Sequence, residues 1–541
     1  MAYAITQTCC NDASCVSVCP VNCIHPTPDE PDFGRTDMLY VDPRTCIDCG
    51  ACADACPVDA IFPVDRLRGA DTVYARLNRE YYETTSASND WGAPNFPRSL
   101  PASVGTLRVA IVGTGPAAAY TAQALLRDTG AEVTMIDRLP VAGGLLRSGV
   151  APDHQSTKKI GDGFSWLYRH PRVSLHMNVE VGRDVTHEEL AAHHHAVIYA
   201  VGAAADRELG IEGADLPGSM SATSFVAWYN AHPDAAEVEV DLSAERAVVV
   251  GNGNVALDVA RILLSDPERL AATDIADQAL GRLRAGKVRE VVLLGRRGPE
   301  SAAFTTPEFL AMQHLPGVRL VVEDAPKTRV ALTDAEPGGK AELLADLPLE
   351  NIDWAAPPAE GKRLVFRFGT EPAAVHGDDR VRSVRVRDSG GAGSIAAGLL
   401  IRAIGYRSTP IAGLPFDTAT STVPNRAGRV LAASSGEPLP GTYVVGWAKR
   451  GPSGGIGTNR GCAGETVGSL LDDAAAGRLA APAGTGFDRL VRTRAPKSVG
   501  RRGMLAIDKA ERDRGEREGR PRVKFATTSE LLGAANRLFG R

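Results

Sequence analysis

The chain has 541 residues, 44% of them hydrophobic and 23% charged, with a formal net charge of −5. These are ordinary values for globular protein and imply about three domains, each able to bury a core. No apolar run approaches a membrane span, and the opening MAYAITQTCC lacks the basic region and apolar core of a secretory signal, so the expected location is cytoplasmic, without membrane insertion.

Cysteine and charge are both segregated. Nine of the ten cysteines lie at or before position 56, and the tenth is Cys462. Residues 1–65 hold ten acids against two arginines, a charge of −8, which leaves +3 on the remainder. In a large chain without a secretory signal such density points to metal rather than disulfides. The acidic head is suited to electrostatic docking, or is simply a solvated surface.

The run Cys46-x2-Cys49-x2-Cys52-x3-Cys56-Pro57 has the spacing that wraps three thiolates around one iron–sulfur cube and sends the fourth to a neighbouring cluster. Zinc is the weaker alternative, because it usually takes two separated ligand pairs. The earlier run, Cys9-x2-Asp12-x2-Cys15-x3-Cys19-Pro20, carries Asp12 where the middle cysteine would stand. Ligand exchange then assigns Cys9, Cys15 and Cys56 to one cluster, and Cys46, Cys49, Cys52 and Cys19 to the other. The first is short of a thiolate. It is either a [3Fe-4S] cluster or a labile [4Fe-4S] cluster whose last iron is held weakly by a carboxylate. The second is expected to be [4Fe-4S]. Cys10 and Cys23 read as small buried hydrophobes, with Cys10 able to substitute for Cys9. The stretches DASCVSVCPVNCIHP and CIDCGACADACPVDAI resemble bacterial seven-iron and eight-iron ferredoxins. That resemblance implies a small pseudo-twofold α+β domain, residues 1–65, that relays single electrons. The departure lies between Cys9 and Cys15, where seven-iron members commonly have a longer loop.

Residues 66–105 are expected to link this head to the rest. Within them Leu67, Val73, Tyr74, Leu77 and Tyr81 suggest a short helix, and the Ser-, Pro- and Gly-rich stretch 84–106 a flexible tether spanning on the order of 25 Å.

Leu107 to Asp137 reads as strand (Val109 to Val112), Gly-rich turn, helix and strand (Val133 to Ile136) ending in an acid, the first βαβ of a dinucleotide fold. Gly113 makes the turn, Gly115 admits a pyrophosphate, Ala118 allows close helix–strand packing, and Asp137 stands where a carboxylate holds ribose hydroxyls. A second unit begins with strand Arg246 to Val250, and Gly251-Asn252-Gly253-Asn254-Val255-Ala256 opens a helix to about Leu264. After a 23-residue insertion, Ser265 to Lys287, strand Arg289 to Leu294 ends in Gly295-Arg296-Arg297. Two guanidiniums in place of an acid argue for a 2′-phosphate, hence NADP rather than NAD. Near the end, Trp447 to Asn459 is a Gly-rich turn after a strand at Thr442 to Val445, suited to backbone contact with a flat ring. His193-His194-His195 are discounted as a metal site, Cys462 reads as a core thiol, and Arg501 to Arg520 as a solvated helix with no nucleic-acid patch.

The motifs GLLRSGVAPDHQSTKKI, NVEVGRDVT, GNGNVALDVARILL, GRRGP, AFTTPE and GWAKRGPSGGIGTN resemble adrenodoxin reductase and its bacterial ferredoxin–NADP reductase relatives. With the head included, the chain resembles actinobacterial fused ferredoxin/ferredoxin–NADP reductases. The resemblance implies an α/β fold with two Rossmann-like domains, an FAD domain (106–205 and 400–541) and an NADP domain (206–399). It implies FAD contacts at Gly113, Gly115, Ala117, Asp137, Leu145, Val181, Trp447, Gly454, Gly455 and Ile456. NADP(H) contacts are implied at Asn252, Gly253, Asn254, Val255, Arg296, Arg297 and Glu308, with His154 and Glu308 near the reacting rings as catalytic candidates. The expected activity is NADPH-dependent electron transfer through FAD to the fused clusters or to ferredoxin-type acceptors, feeding a cytochrome P450 system or another reductive enzyme. Two rivals stand beside it: an electron-input subunit like the small subunit of glutamate synthase, and a non-enzymatic iron–sulfur redox sensor.

Overall fold

A computed structural model describes residues 2–88, 90 and 100–536. Part of the expected tether, 89 and 91–99, lies outside the described residues.

The head is built twice over. Two short antiparallel pairs, Tyr3–Ile5 with Ile61–Pro63 and Ile24–His25 with Tyr40–Val41, bracket a 3-10 turn, Val16–Val18, and a short α-helix, Ala51–Ala55. Cys19 and Cys56 end these two turns with matching backbone, φ/ψ −73°/114° and −75°/115°. Left-handed residues repeat in step: Asn11 and Asp48 at φ 56° and 58°, Ala13 and Gly50 at 59° and 78°, Asn22 and Asp59 at 47° and 51°. Asn and Asp tolerate this region better than most residues. The repeat sets Asp12 at the position of Cys49, Cys10 at that of Ile47, and Cys23 at that of Ala60.

The division that starts the linker at residue 66 needs correction. Helix Val73–Thr84 packs on the head, and its buried Asn78 stitches both strand pairs. The Asn78 Oδ1 accepts from the amides of Ile5 (3.1 Å) and Val41 (2.8 Å), and its Nδ2 donates to the Ile5 carbonyl (2.9 Å). The Tyr82 hydroxyl donates to the Tyr40 carbonyl at 2.7 Å.

Two seven-stranded sheets follow. In the first, the order is Asn425–Arg426, Arg429–Leu431, Pro438–Val444, Ala196–Tyr199, Arg108–Val112, Glu132–Asp137, Val173–Met177. Its five last-named strands run parallel, and the central ones are apolar on both faces because helices cover both sides. In the second, all neighbours are parallel: Ser219–Ser221, Leu399–Arg402, Arg246–Val250, Glu290–Leu294, Lys362–Arg367, Val318–Glu323, Leu349–Glu350. The expected boundary at 399/400 therefore cuts a strand. Leu399–Arg402 belongs wholly to the second sheet, and the chain returns after it through Tyr406–Arg407, which pairs antiparallel with the outgoing Ala205–Asp206. The insertion forms helices Pro267–Ala271 and Asp277–Ala285.

The reading of the C-terminal helix as solvated is also corrected. Helix Arg501–Arg517 buries Met504, Ile507 and Glu511. Arg147 neutralises Glu511 through contacts of 2.7 and 2.6 Å, so a charged residue can occupy the packed face. Beyond it, buried Lys524 pairs with Asp274 of the second domain at 2.8 Å and donates to the Arg147 carbonyl of the first at 3.0 Å. The three histidines point to separate partners: His193 to the Glu189 carbonyl, His194 to the Leu190 carbonyl and Thr134, and His195 to the Arg108 amide.

Candidate redox centres

Two cavities in the head are lined by sulfur. One gathers Cys9, Cys10, Asp12, Cys15 and Cys56 with Ile5, Leu39, Val58 and Ile61. The other gathers Cys19, Cys23, Cys46, Cys49 and Cys52 with Tyr3, Pro20, Val21 and Ile47. Each cavity thus takes its last cysteine from the opposite run, because Cys19 and Cys56 leave their turns toward the other half. Amides help to orient these two: Cys23 N donates to Cys19 Sγ at 3.4 Å and Ala60 N to Cys56 Sγ at 3.2 Å. Burial pushes the Cys9 thiol up to about 11 and Cys52 up to about 12. A cation that replaces the thiol proton relieves this cost, so the donor set fits an iron–sulfur group in each cavity.

In the first sheet the strand-to-helix turn is tight. Gly113 stands at φ 110°, where a Cβ would meet the Ala200 carbonyl oxygen at 2.5 Å. A Cβ on Gly144 would meet the Gly115 Cα at 2.9 Å, so the Gly143-Gly144-Leu145 turn lies over the Gly115 backbone. Gly446 approaches Ala117 just as closely, with a Cβ falling 2.7 Å from that methyl. Helix Pro116–Asp128 has no acid in its first turn, leaving its N-terminus suited to phosphate. Asp137 ends its strand, accepting from Thr114 Oγ1 (2.5 Å) and the Leu139 amide (2.9 Å), and burial raises its pKa. Leu145 and Val201 are large apolar side chains left exposed at this edge. Val181 pairs with Val185 in a bridge beside the same sheet. Trp447 opens the short helix Trp447–Arg450, donates to the Ser453 carbonyl (3.1 Å), and lies 5.2 Å from the Tyr406 ring. Gly454, Gly455 and Ile456 follow, ahead of helix Thr458–Ala475, which packs on Pro116–Asp128. These residues fit a dinucleotide with a flat ring.

The second turn repeats the first. Gly251 stands at φ 118°, and a Cβ there would collide with the Ala403 carbonyl oxygen. Helix Asn254–Leu264 again begins without an acid. Asn252 and Asn254 accept from the amides of Ala303 (3.3 Å) and Thr305 (2.8 Å), and Gly253 and Val255 lie between and beside them. Arg296 and Arg297 both reach solvent at the end of strand Glu290–Leu294. Among the described residues Arg296 is paired with Glu371 at 4.0 Å and Arg297 makes no ion pair.

His154 and Glu308, far apart in sequence, come within 3.9 Å. Arg261, buried on helix Asn254–Leu264, joins their two domains. Its Nε donates to Asp153 at 2.6 Å, its second nitrogen reaches Asp258 at 2.6 Å, and its third faces Glu308 at 3.5 Å. Asp153 is half-buried and held below the usual carboxylate range by that guanidinium. Burial instead raises the Glu308 pKa. Glu308 Oε2 and the facing Arg261 nitrogen are buried without hydrogen bonds, a polar pair able to receive a ligand amide. His154, Asp258 and Glu308 also bring potential metal-ligating atoms within 4.8 Å of one another, but Arg261 already supplies the cation there.

Sequence reasoning missed the contact between head and flavin-type domain, because nothing local marks it. The Gly457 amide donates to the Cys10 carbonyl at 2.9 Å, and Arg460 donates to the Asp12 carbonyl at 2.7 Å. A Cβ on Gly457 would run into the Asn11 carbonyl oxygen. Asp37 accepts from the Thr306 amide (2.8 Å) and Lys340 (2.9 Å), tying the head to the helix that carries Glu308. One apolar core runs from Ile5, Cys10 and Ile61 in the head to Ile111, Tyr120 and Leu470 beyond it.

The family described as pyridine nucleotide-disulphide oxidoreductase matches residues 107–297, and the 4Fe-4S binding domain matches residues 39–62. The chain is 47% identical over 556 residues to a probable ferredoxin/ferredoxin–NADP reductase of Mycobacterium tuberculosis, spanning 99% of this chain and 95% of that protein. Its Mycobacterium leprae counterpart is 45% identical, over 99% and 98% of the two chains. The solved structure of Mycobacterium tuberculosis FprA in complex with NADPH is 41% identical, covers 80% of this chain and 99% of its own, and superposes with a TM-score of 0.72. Full-length matches to reductases set aside the sensor and input-subunit readings. With a 4Fe-4S head, two dinucleotide-type sheets and relatives aligned from end to end, the chain belongs to the ferredoxin/ferredoxin–NADP reductases, FAD- and NADP-type flavoprotein oxidoreductases carrying a fused ferredoxin domain.

Proposed function

We propose that the chain draws electrons from NADPH and delivers them through two clusters of unequal ligation. Gly113, Gly115, Ala117, Asp137, Leu145, Val181, Trp447, Gly454, Gly455 and Ile456 would hold FAD. Asn252, Gly253, Asn254, Val255, Arg296 and Arg297 would hold NADPH. Bound flavin supplies the conversion between a hydride pair and single electrons. Glu308 and Arg261 orient the nicotinamide end, while His154 borders the same junction from the other domain. In the head, Cys19, Cys46, Cys49 and Cys52 would hold a [4Fe-4S] cluster, and Cys9, Cys15 and Cys56 three corners of a second.

The observation that carries the unequal reading is the backbone repeat that sets Asp12 where Cys49 stands, flanked by left-handed residues on both sides in each half. Asp12 lines its cavity and bonds Ser14. Iron–sulfide sites prefer thiolate to carboxylate, so the fourth iron of this cluster should be labile. Iron counting with EPR before and after air exposure tests this. Wild type should lose about one iron per chain and gain a three-iron signal, whereas Asp12→Cys should lose none. Full iron retention by wild type in air, or loss of this cluster on Cys10→Ser but not Cys9→Ser, would overturn the assignment.

A further inference from the structure

The head presents the same loop twice, and only one copy is covered by the described residues. The Cys10-Asn11-Asp12 loop lies against the flavin-type domain: Gly457 donates to its Cys10 carbonyl, Arg460 to its Asp12 carbonyl, and Cys10 is 9% exposed. Its repeat-related counterpart, Ile47-Asp48-Cys49, faces solvent, with Ile47 58% exposed. Ile47 and Pro20 line the mouth of the second sulfur cavity, and Val18, just before Cys19, is a further exposed apolar side chain. Tyr3 closes that cavity beside Gly50, its hydroxyl 3.0 Å from where a Cβ would stand. Exposed Asp48 lies between two residues that line this cavity, Ile47 and Cys49, and exposed Asp54 stands on helix Ala51–Ala55 two residues beyond Cys52, a third. The whole head carries −8, and several of its acids are engaged elsewhere: Asp37 with Lys340, Asp59 with Lys159, Asp42 with Arg44.

Resting on the two-cluster reading above, we infer that the Ile47-Asp48-Cys49 loop, with Pro20, Val18 and Asp54, is the exit face of the protein, and that it docks a separate one-electron carrier protein with a basic, apolar-centred face around its redox centre. The covered loop shows what such a loop accepts. Its occupant offers a backbone amide where a side chain would not fit, and an arginine to a carbonyl. A partner with small residues and cations around its centre matches the exposed loop in the same way. An apolar centre ringed by charge is also the usual anatomy of a transient interface. The electron count closes: one NADPH, oxidised to NADP⁺ with release of one proton, reduces two partner molecules by one electron each.

Cytochrome c, a basic haem protein, serves as the probe. Its binding to the oxidised full-length holoprotein is titrated at low and at moderate ionic strength, and NADPH-driven reduction of cytochrome c and of ferricyanide is measured beside it. Ile47→Lys and Asp54→Lys should each weaken binding about five- to tenfold and flatten its salt dependence, with ferricyanide reduction unchanged in Asp54→Lys, which lines neither cavity. The charge-matched control Asp346→Lys, exposed on the second domain, should bind as wild type does. Binding by both head variants within twofold of wild type, or an equal loss in Asp346→Lys, overturns the exit face. Because binding needs no turnover, a failed iron count would sink the two-cluster reading while leaving this arm decisive. Iron content of each variant guards against cluster loss beside Cys46 and Cys49.

Discussion

Arg296 and Arg297 follow the strand Glu290–Leu294 at the point where an NAD-binding fold would carry an acid, and among the described residues neither is held by a strong ion-pair partner. That leaves both free to grip a 2′-phosphate. Replacing them with Ala should weaken NADPH by roughly 1.5 kcal/mol each, the low end for a charged hydrogen bond because both are solvent-exposed, and leave NADH nearly unaffected. The ratio of kcat/KM for the two nucleotides measures this, and an unchanged ratio would remove their role. The placing of these arginines just past a strand end could be read from the sequence, because a strand, a turn and a charge lie within a few residues of each other. Arg261 could not. Its function is set by Asp153, 108 residues away, and by Glu308, neither of which is a neighbour on its helix beyond the visible Asp258.

Among the elements, strand Arg246–Val250 and its Gly251 turn were legible to the residue, since an apolar run meets a glycine whose left-handed φ no other residue takes easily. Helix Arg501–Arg517 was not. Alternating charge reads as solvated until Arg147 is brought against Glu511 by the tertiary fold. The turn ahead of helix Thr458–Ala475 shows both sides. Its glycines advertise backbone contact, but the sequence does not say that Gly457 meets the head rather than a ligand. Gly457 has an ordinary φ of −68°, so a substitution there is opposed by space alone. Gly457→Ala should keep its FAD content and its NADPH–ferricyanide rate, while bleaching of the cluster absorbance after anaerobic mixing with NADPH slows about tenfold or more, because a small misplacement between reacting groups is costly. An unaltered bleaching rate would mean that this contact does not carry the transfer.

For the whole molecule, head and flavoprotein share one apolar core. FprA is covered over 98% of its length by only 78% of this chain, so the flavoprotein portion has relatives that stand without a head. Deleting residues 1–100 should therefore leave a protein that binds FAD and reduces ferricyanide with NADPH. It should melt lower, by roughly 1 °C for each ~1 kcal/mol of lost packing in a chain of about 440 residues. Loss of FAD from the truncated chain would instead make the head part of the flavin site. The seating of the head on Gly457 also bears on how the protein is made. The cavity lined by Cys9, Asp12 and Cys15 is roofed by the flavin-type domain, whereas Cys49 leaves the other cavity open to solvent. On the two-cluster proposal, biogenesis would then have an order: the sheltered metal site would be filled before the nascent head docks, and the outer one could be refilled afterwards.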